Sequence, residues 1–146
     1  MLSAKEWITK WQARRSYTLA ELQAKLVQKD FPAAEIAAAL QWAIDYAGAN
    51  DREVAERSAQ KRQRQHYGSP RIAAELEARG IASTEATRAT MTPRAAEEQR
   101  AHTALLTVKE RFLGDPRRAA SWLARRGFEE DVVQSVVEKI IGRLED

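Results

Sequence analysis

Apolar residues along this chain recur at spacings of four. Leu22 and Leu26, Ile36 and Leu40, Ile72 and Leu76, and Val133 and Val137 each lie about one turn apart, on one face of a helix. Helix punctuation stands between these faces. Pro32, Pro70, Pro93 and Pro116 each sit where a helix can begin, and three of them follow Ser69, Thr92 and Asp115, side chains suited to capping. Ser3 with Glu6, Thr18 with Glu21 and Asn50 with Glu53 have the spacing of a capping box. Gly48, Gly68, Gly80, Gly114 and Gly127 fall just before the next start, where helices stop. The pattern predicts nine helices, over residues 3–14, 18–29, 33–47, 51–67, 69–79, 83–90, 93–113, 116–126 and 129–144.

The helices repeat. Phe31, Ile81 and Phe128 stand at corresponding corners, each with a leucine (Leu26, Leu76, Leu123) five residues before it and a base (Lys29, Arg79, Arg126) two before it. Ile36, Ala86 and Val133 follow five residues later, and Leu40, Thr90 and Val137 nine later. Each corner therefore joins two short helices, and a longer leading helix closes a small core over the pair. This predicts an all-α fold, an elongated tandem array of three three-helix units, in one continuous repeat-built domain divided at 1–48, 49–91 and 92–146.

Composition agrees with helix. Of 146 residues 27 are Ala, 6 Gly and 4 Pro, which leaves little material for strands. The absence of cysteine excludes a disulfide scaffold, a thiolate nucleophile and Cys-ligated metals. No run reaches the roughly 18 apolar residues of a membrane span, and the N-terminal stretch has no apolar signal core. A cytoplasmic, monomeric protein is expected.

Catalytic chemistry finds no foothold. No closely spaced glycines cradle a phosphate, and His66 and His102 have no partners in sequence. Glu97-Glu98 and Glu129-Glu130 read as solvated helix surface or first-turn acids. No enzyme activity, cofactor or metal site is expected. Charge is nearly balanced, 24 Lys and Arg against 21 Asp and Glu, but it is segregated. Arg57, Lys61, Arg62, Arg64 and Arg71 occupy a stretch without acids, and Arg57, Lys61 and Arg64 form one stripe at i, i+4 and i+7. Arg111, Arg117, Arg118, Arg125 and Arg126 face only Asp115, and Lys5, Lys10, Arg14 and Arg15 only Glu6. Such patches suit a polyanion or an acidic protein groove. Trp42 and Trp122 lie in apolar stripes and are expected in the core, whereas Trp7 and Trp11, four apart, are open to either packing or base stacking.

The stretch from Asn50 to Arg57 and that from Tyr67 through Gly68-Ser69-Pro70-Arg71-Ile72, Glu75-Leu76 and Arg79-Gly80-Ile81 resemble the central signature of the RecX family of bacterial recombination regulators. Glu21-Leu22, Lys25-Leu26 and Phe31, and Leu123-Ala124-Arg125-Arg126-Gly127-Phe128, are similar to its flanking repeats, so the likeness runs from Ser16 to Val137. The resemblance implies a non-enzymatic protein that binds the RecA recombinase filament, with single-stranded DNA within or near it. It further implies inhibition of the filament's ATPase, strand-exchange and coprotease activities, and so modulation of recombination and the SOS response. On that reading Arg57, Lys61, Arg64, Arg117, Arg118 and Arg125 are the candidate partner-binding residues. Two other readings of the residues stand beside it: a stand-alone DNA-binding protein whose tight helix pairs act as helix-turn-helix readers, and a scaffold whose charges only solvate it.

Overall fold

The structure, a computed structural model, describes residues 1–144. Their elements run α1 (Ala4–Gln12), α2 (Leu19–Gln28), α3 (Ala33–Tyr46), α4 (Asp51–Arg64), α5 (Ser69–Ala78), α6 (Ser83–Thr90), α7 (Arg94–Val108), a 3-10 turn (Lys109–Phe112), α8 (Pro116–Arg125) and α9 (Glu130–Ile140). No strand occurs among the described residues. Buried apolar side chains form three clusters. Ile8, Trp11, Leu22, Leu26 and Ile36 lie in the first, Val54, Ile72, Leu76 and Ile81 in the second, and Leu105, Phe112, Leu123, Phe128 and Val133 in the third. Each helix packs chiefly on the other two of its own cluster. Because the cores stay separate, the surface of 8960 Å² exceeds by about a fifth the roughly 7,500 Å² expected of a compact chain of this size.

Local capping explains most boundaries. Ser3 with Glu6 and Thr18 with Glu21 form complete capping boxes. Asn50 completes only half of one, because the Glu53 carboxylate pairs instead with Arg57 at 2.7 Å. Asp115 caps α8 through the Arg118 N–H. Ser69 and Thr92 do not cap the helices after them. Ser69 is already the first residue of α5 and Pro93 occupies the N-cap position of α7, while both hydroxyls donate to the Glu97 carboxylate. Nor does Gly68 stop α4, which ends earlier with His66 in the left-handed conformation (φ 65°). The long helix predicted over 93–113 tightens into a 3-10 turn after Val108, whose φ of −125° breaks the helix and lets Phe112 turn into the third core.

Neighbouring units meet at a joint that occurs twice. The corner after α5 rests on the start of α2, where the Thr18 hydroxyl donates to the Arg79 carbonyl at 2.6 Å. The corner after α8 rests on the start of α5, where the Gly68 N–H donates to the Arg126 carbonyl at 2.9 Å. Both arginines then reach back to the carbonyl of a residue 63 or 60 positions earlier, Arg79 to Ser16 at 3.2 Å and Arg126 to His66 at 3.2 Å. A carboxylate from the next unit's leading helix completes each joint. Asp51 accepts from the Leu19 N–H at 2.9 Å and Glu97 from the Ser69 N–H at 2.7 Å, in each case the first N–H of the short helix.

Glycine is required at these corners for two reasons. Gly80 and Gly127 both have positive φ, 87° and 95°. A Cβ on Gly80 would lie 2.3 Å from the Ala20 Cβ, and one on Gly127 would lie 2.0 Å from the Arg71 Cβ. The first unit has the same corner at Asp30 (φ 64°), an exposed residue that no other unit covers among the described residues, and there a side chain is tolerated. The other end shows the complement. At α8 no carboxylate of a further unit covers the first residue, which is Pro116 and has no N–H to satisfy.

Glu97, expected at the surface, is 7% exposed. It accepts from Ser69, Thr92 and Arg100, the last an ion pair at 2.8 Å, and Arg100 also donates to the Tyr67 carbonyl. A buried carboxylate is tolerable only with this many donors. Glu21 holds the other joint through Arg79 at 3.0 and 3.2 Å and accepts from the Thr18 N–H at 2.8 Å. Burial works against its charge, but the Arg79 guanidinium and the Thr18 N–H outweigh it and lower the pKa.

Two predictions follow from the joints. Gly127→Ala adds left-handed strain and a backbone-proximal clash and should cost on the order of 3 kcal/mol. Gly48→Ala, where a Cβ meets nothing within 4 Å, should cost about 1 kcal/mol; urea denaturation of both variants tests the difference. A lowered carboxyl pKa stabilises the fold above the ordinary glutamate range, and that contribution is lost as pH falls through the lowered value. Wild-type stability should therefore decline from about pH 5 downward. Glu21→Gln should be less stable at neutral pH and decline less over that interval, as read from urea midpoints between pH 7 and pH 3.

Candidate partner-binding surface

The basic stripe on α4 is exposed. Arg57, Lys61 and Arg64 all face solvent, with Arg57 neutralised by Glu53. Lys61 lines one side of a groove of about 490 Å³ between α4 and α5, together with Arg62, Glu75 and Arg79. Within this groove Arg62 makes a two-pronged contact to Glu75, at 2.9 and 2.7 Å. Burial opposes the Glu75 charge, yet Arg62 and Arg71 hold its pKa below the usual carboxylate range. The same bonds raise the pKa of Arg62.

On α8 the candidates separate. Arg125 lies at the unit joint, its carbonyl accepting from Arg71 at 2.7 Å. The next residue, Arg126, donates to the Gln65 carbonyl at 2.6 Å, beside Arg64 at the end of α4. The fold thus brings Arg64 and Arg125 to one joint. Arg117 and Arg118 lie at the far end of α8, about 11 Å away along its axis, where the Arg118 guanidinium is 5.7 Å from the Phe112 ring. The six residues form a stripe on α4, a meeting point at the joint and a separate pair, rather than one continuous patch.

The sequence does not reveal what occupies the joint itself. Tyr67 is a half-buried ring with three guanidiniums around it, Arg62 at 3.8 Å, Arg126 at 4.1 Å and Arg71 at 4.5 Å. The shared base two residues before each corner was the available signal for Arg126. That Arg62 and Arg71 converge on the same ring depends on how α4, α5 and α8 meet. Basic residues that looked available in the sequence are thereby used internally: Arg62, Arg71, Arg79 and Arg126 all hold helices together.

Trp42 and Trp122 pack against their cores as expected, though from the edge. Trp11 is buried, whereas Trp7, Trp42 and Trp122 are only half-buried. Trp42 lines a groove between α1 and α3 with Leu2, Lys5 and Lys10, and Trp122 packs against Phe112 with 6.0 Å between ring centroids. The His66 carbonyl receives Arg126, and His102 Nδ1 is buried without a hydrogen-bond partner. Among the described residues no group of three or more His, Asp or Glu side chains is placed to hold a metal, and no helix is long and apolar enough to cross a membrane.

No family model and no curated protein matches the chain in sequence. Solved structures do. RecX from Lactobacillus salivarius superposes with a TM-score of 0.84 at 17% identity, over 94% of this chain and 94% of that one. A second structure, of the regulatory protein RecX, gives 0.77 at 18% identity over 91% of this chain and 69% of its own. The likeness is one of architecture, and it extends over nearly the whole of this chain: three tandem three-helix units joined at glycine corners have the fold of RecX.

Proposed function

We propose that this protein is a RecX-type regulator. It binds the RecA filament on single-stranded DNA and inhibits its ATPase, strand-exchange and coprotease activities, thereby modulating recombination and the SOS response. The observation that carries this reading is the agreement of fold with RecX over 94% of both chains. The central stretch from Tyr67 to Ile81 supports it independently, because the residues of the resemblance are the ones that build the joint: Gly68, Arg71, Glu75, Arg79 and Gly80. The protein acts by binding rather than by catalysis.

The division at 1–48, 49–91 and 92–146 gives three modules, each with its own core, that engage successive subunits of a filament. The contact residues on this reading are Arg57, Lys61, Arg64 and Arg125 around the second and third units, with Arg117 and Arg118 at the far end. Exposed Lys61, Arg64 and Arg125 have no carboxylate partner among the described residues, so a partner's acids meet them without breaking an internal pair.

Added to RecA on single-stranded DNA, the purified protein should lower ATP hydrolysis at substoichiometric amounts; no effect at equimolar protein overturns the reading. Replacing Arg57, Lys61 and Arg64 together by Glu should raise the half-inhibiting concentration about tenfold, as reversal of several interfacial charges does. Helix content by circular dichroism should be unchanged. Full inhibition by that variant would move the contact elsewhere.

A further inference from the structure

Arginine and lysine do different work in this molecule. Every ion pair among the described residues uses an arginine: Arg15, Arg52, Arg57, Arg62, Arg71, Arg79, Arg88, Arg94 and Arg100 all meet carboxylates. Lys10, Lys25 and Lys29 meet none. Their ammonium groups rest instead over aromatic rings of the first unit. Lys29 lies 4.3 Å and Lys10 5.1 Å from the Trp7 ring, and Lys25 lies 4.8 Å from Trp11 and 5.4 Å from Tyr17. Arg15 adds a further cation 4.4 Å from Tyr17.

These groups form a continuous strip along the seam of α1 and α2. Trp7 and Trp11 stack with ring centroids 5.4 Å apart, and Lys25 bridges Trp11 to Tyr17. Trp11 is buried and backs the seam, while Trp7 and Tyr17 are half-exposed. Of the nearby acids, Glu6 is engaged in its capping box and Glu21 with Arg79 and Arg15, while Asp30, next to Lys29, forms no ion pair with it. The strip thus presents flat apolar rings interleaved with lysine charges that no carboxylate pairs.

We infer that this seam is a binding site for single-stranded nucleic acid, with bases stacking on Trp7 and Tyr17 and phosphates drawing Lys10, Lys25 and Lys29 off the rings. The alternation of ring and cation matches a chain that alternates base and phosphate. An acidic peptide would be held better by the paired donors of arginine, which the seam offers only at Arg15. Duplex stacking would hide the base faces that the rings need. The site lies on the first unit, apart from the contacts proposed on α4 and α8, and it goes beyond them.

The test uses the full-length protein and a labelled oligothymidylate, with no RecA present, so its outcome is separate from that of the ATPase assay. Binding should quench tryptophan fluorescence. An abasic oligomer of equal length should bind about tenfold more weakly, the scale of lost base–aromatic stacking. Replacing Lys10, Lys25 and Lys29 by Gln should weaken binding and reduce the slope of log affinity against log salt by about 2. Trp7→Phe, which keeps an aromatic ring against the core, should reduce the difference between the normal and abasic oligomers. Equal binding of the abasic oligomer overturns the stacking site, and equal binding of polyglutamate makes the seam a protein-docking surface instead. No binding, or binding indifferent to the lysine substitutions, removes the site altogether.

Discussion

The close approach of one unit's corner to the start of the preceding unit's second helix is the contact on which the array depends. At Gly127 the neighbouring backbone and the Arg71 Cβ leave no room for even a methyl group, and Gly68 and Gly127 face each other so closely that neither can carry a side chain. The closeness lets the Gly68 N–H and the Thr18 hydroxyl reach corner carbonyls that the left-handed turn leaves exposed. It also lets Arg79 and Arg126 span from one unit to the carbonyls of the last. Three small cores, each only a few side chains wide, are held in sequence by hydrogen bonds and charge rather than by a shared apolar interface.

The same constraint determines how charge is distributed. Joints made of exposed backbone need donors with several fixed N–H groups, and guanidinium supplies them where an ammonium cannot. Arginine is therefore drawn into the joints and groove of the second and third units, and the carboxylates of Glu21, Glu75 and Glu97 are drawn in with it. Lysines stay outside. A chain whose net charge is only +3 consequently presents cations without a carboxylate partner at particular places: the lysines of the α1–α2 seam, Lys61 and Arg64 on α4, and Arg125 at the end of α8. An extended array carrying separated basic surfaces suits a long polyanionic or filamentous partner better than a compact one.

The ends of the array show the joint by its absence. Asp30 occupies the corner position at which Gly80 and Gly127 are obligatory, and its exposed side chain meets no other unit among the described residues. Pro116 occupies the position at which Leu19 and Ser69 offer an N–H to the following unit's carboxylate.

The number of helices, their approximate limits and the threefold repeat were legible in the sequence, because apolar spacing, caps and corner residues are local signals that act within about one turn of the chain. Thr18, Asp115 and the corner series of Leu26, Leu76 and Leu123 behave as their spacing implied. The stripe of Arg57, Lys61 and Arg64 is likewise a property of one helix. What the sequence could not settle was which polar residues face another unit. Ser69 and Thr92 have the chemistry of caps and Glu97 that of a surface acid, yet a helix 28 residues away turns all three into one buried network. Tyr67 with its three arginines and Trp7 with its lysines arise in the same way, from helices whose mutual rotation no local rule specifies. The sequence alone determined the elements and their repetition, since these rest on short-range sterics and hydrogen bonding. Tertiary structure decided which charges are spent at joints and which remain free to bind, since that depends on distances between groups far apart in the chain.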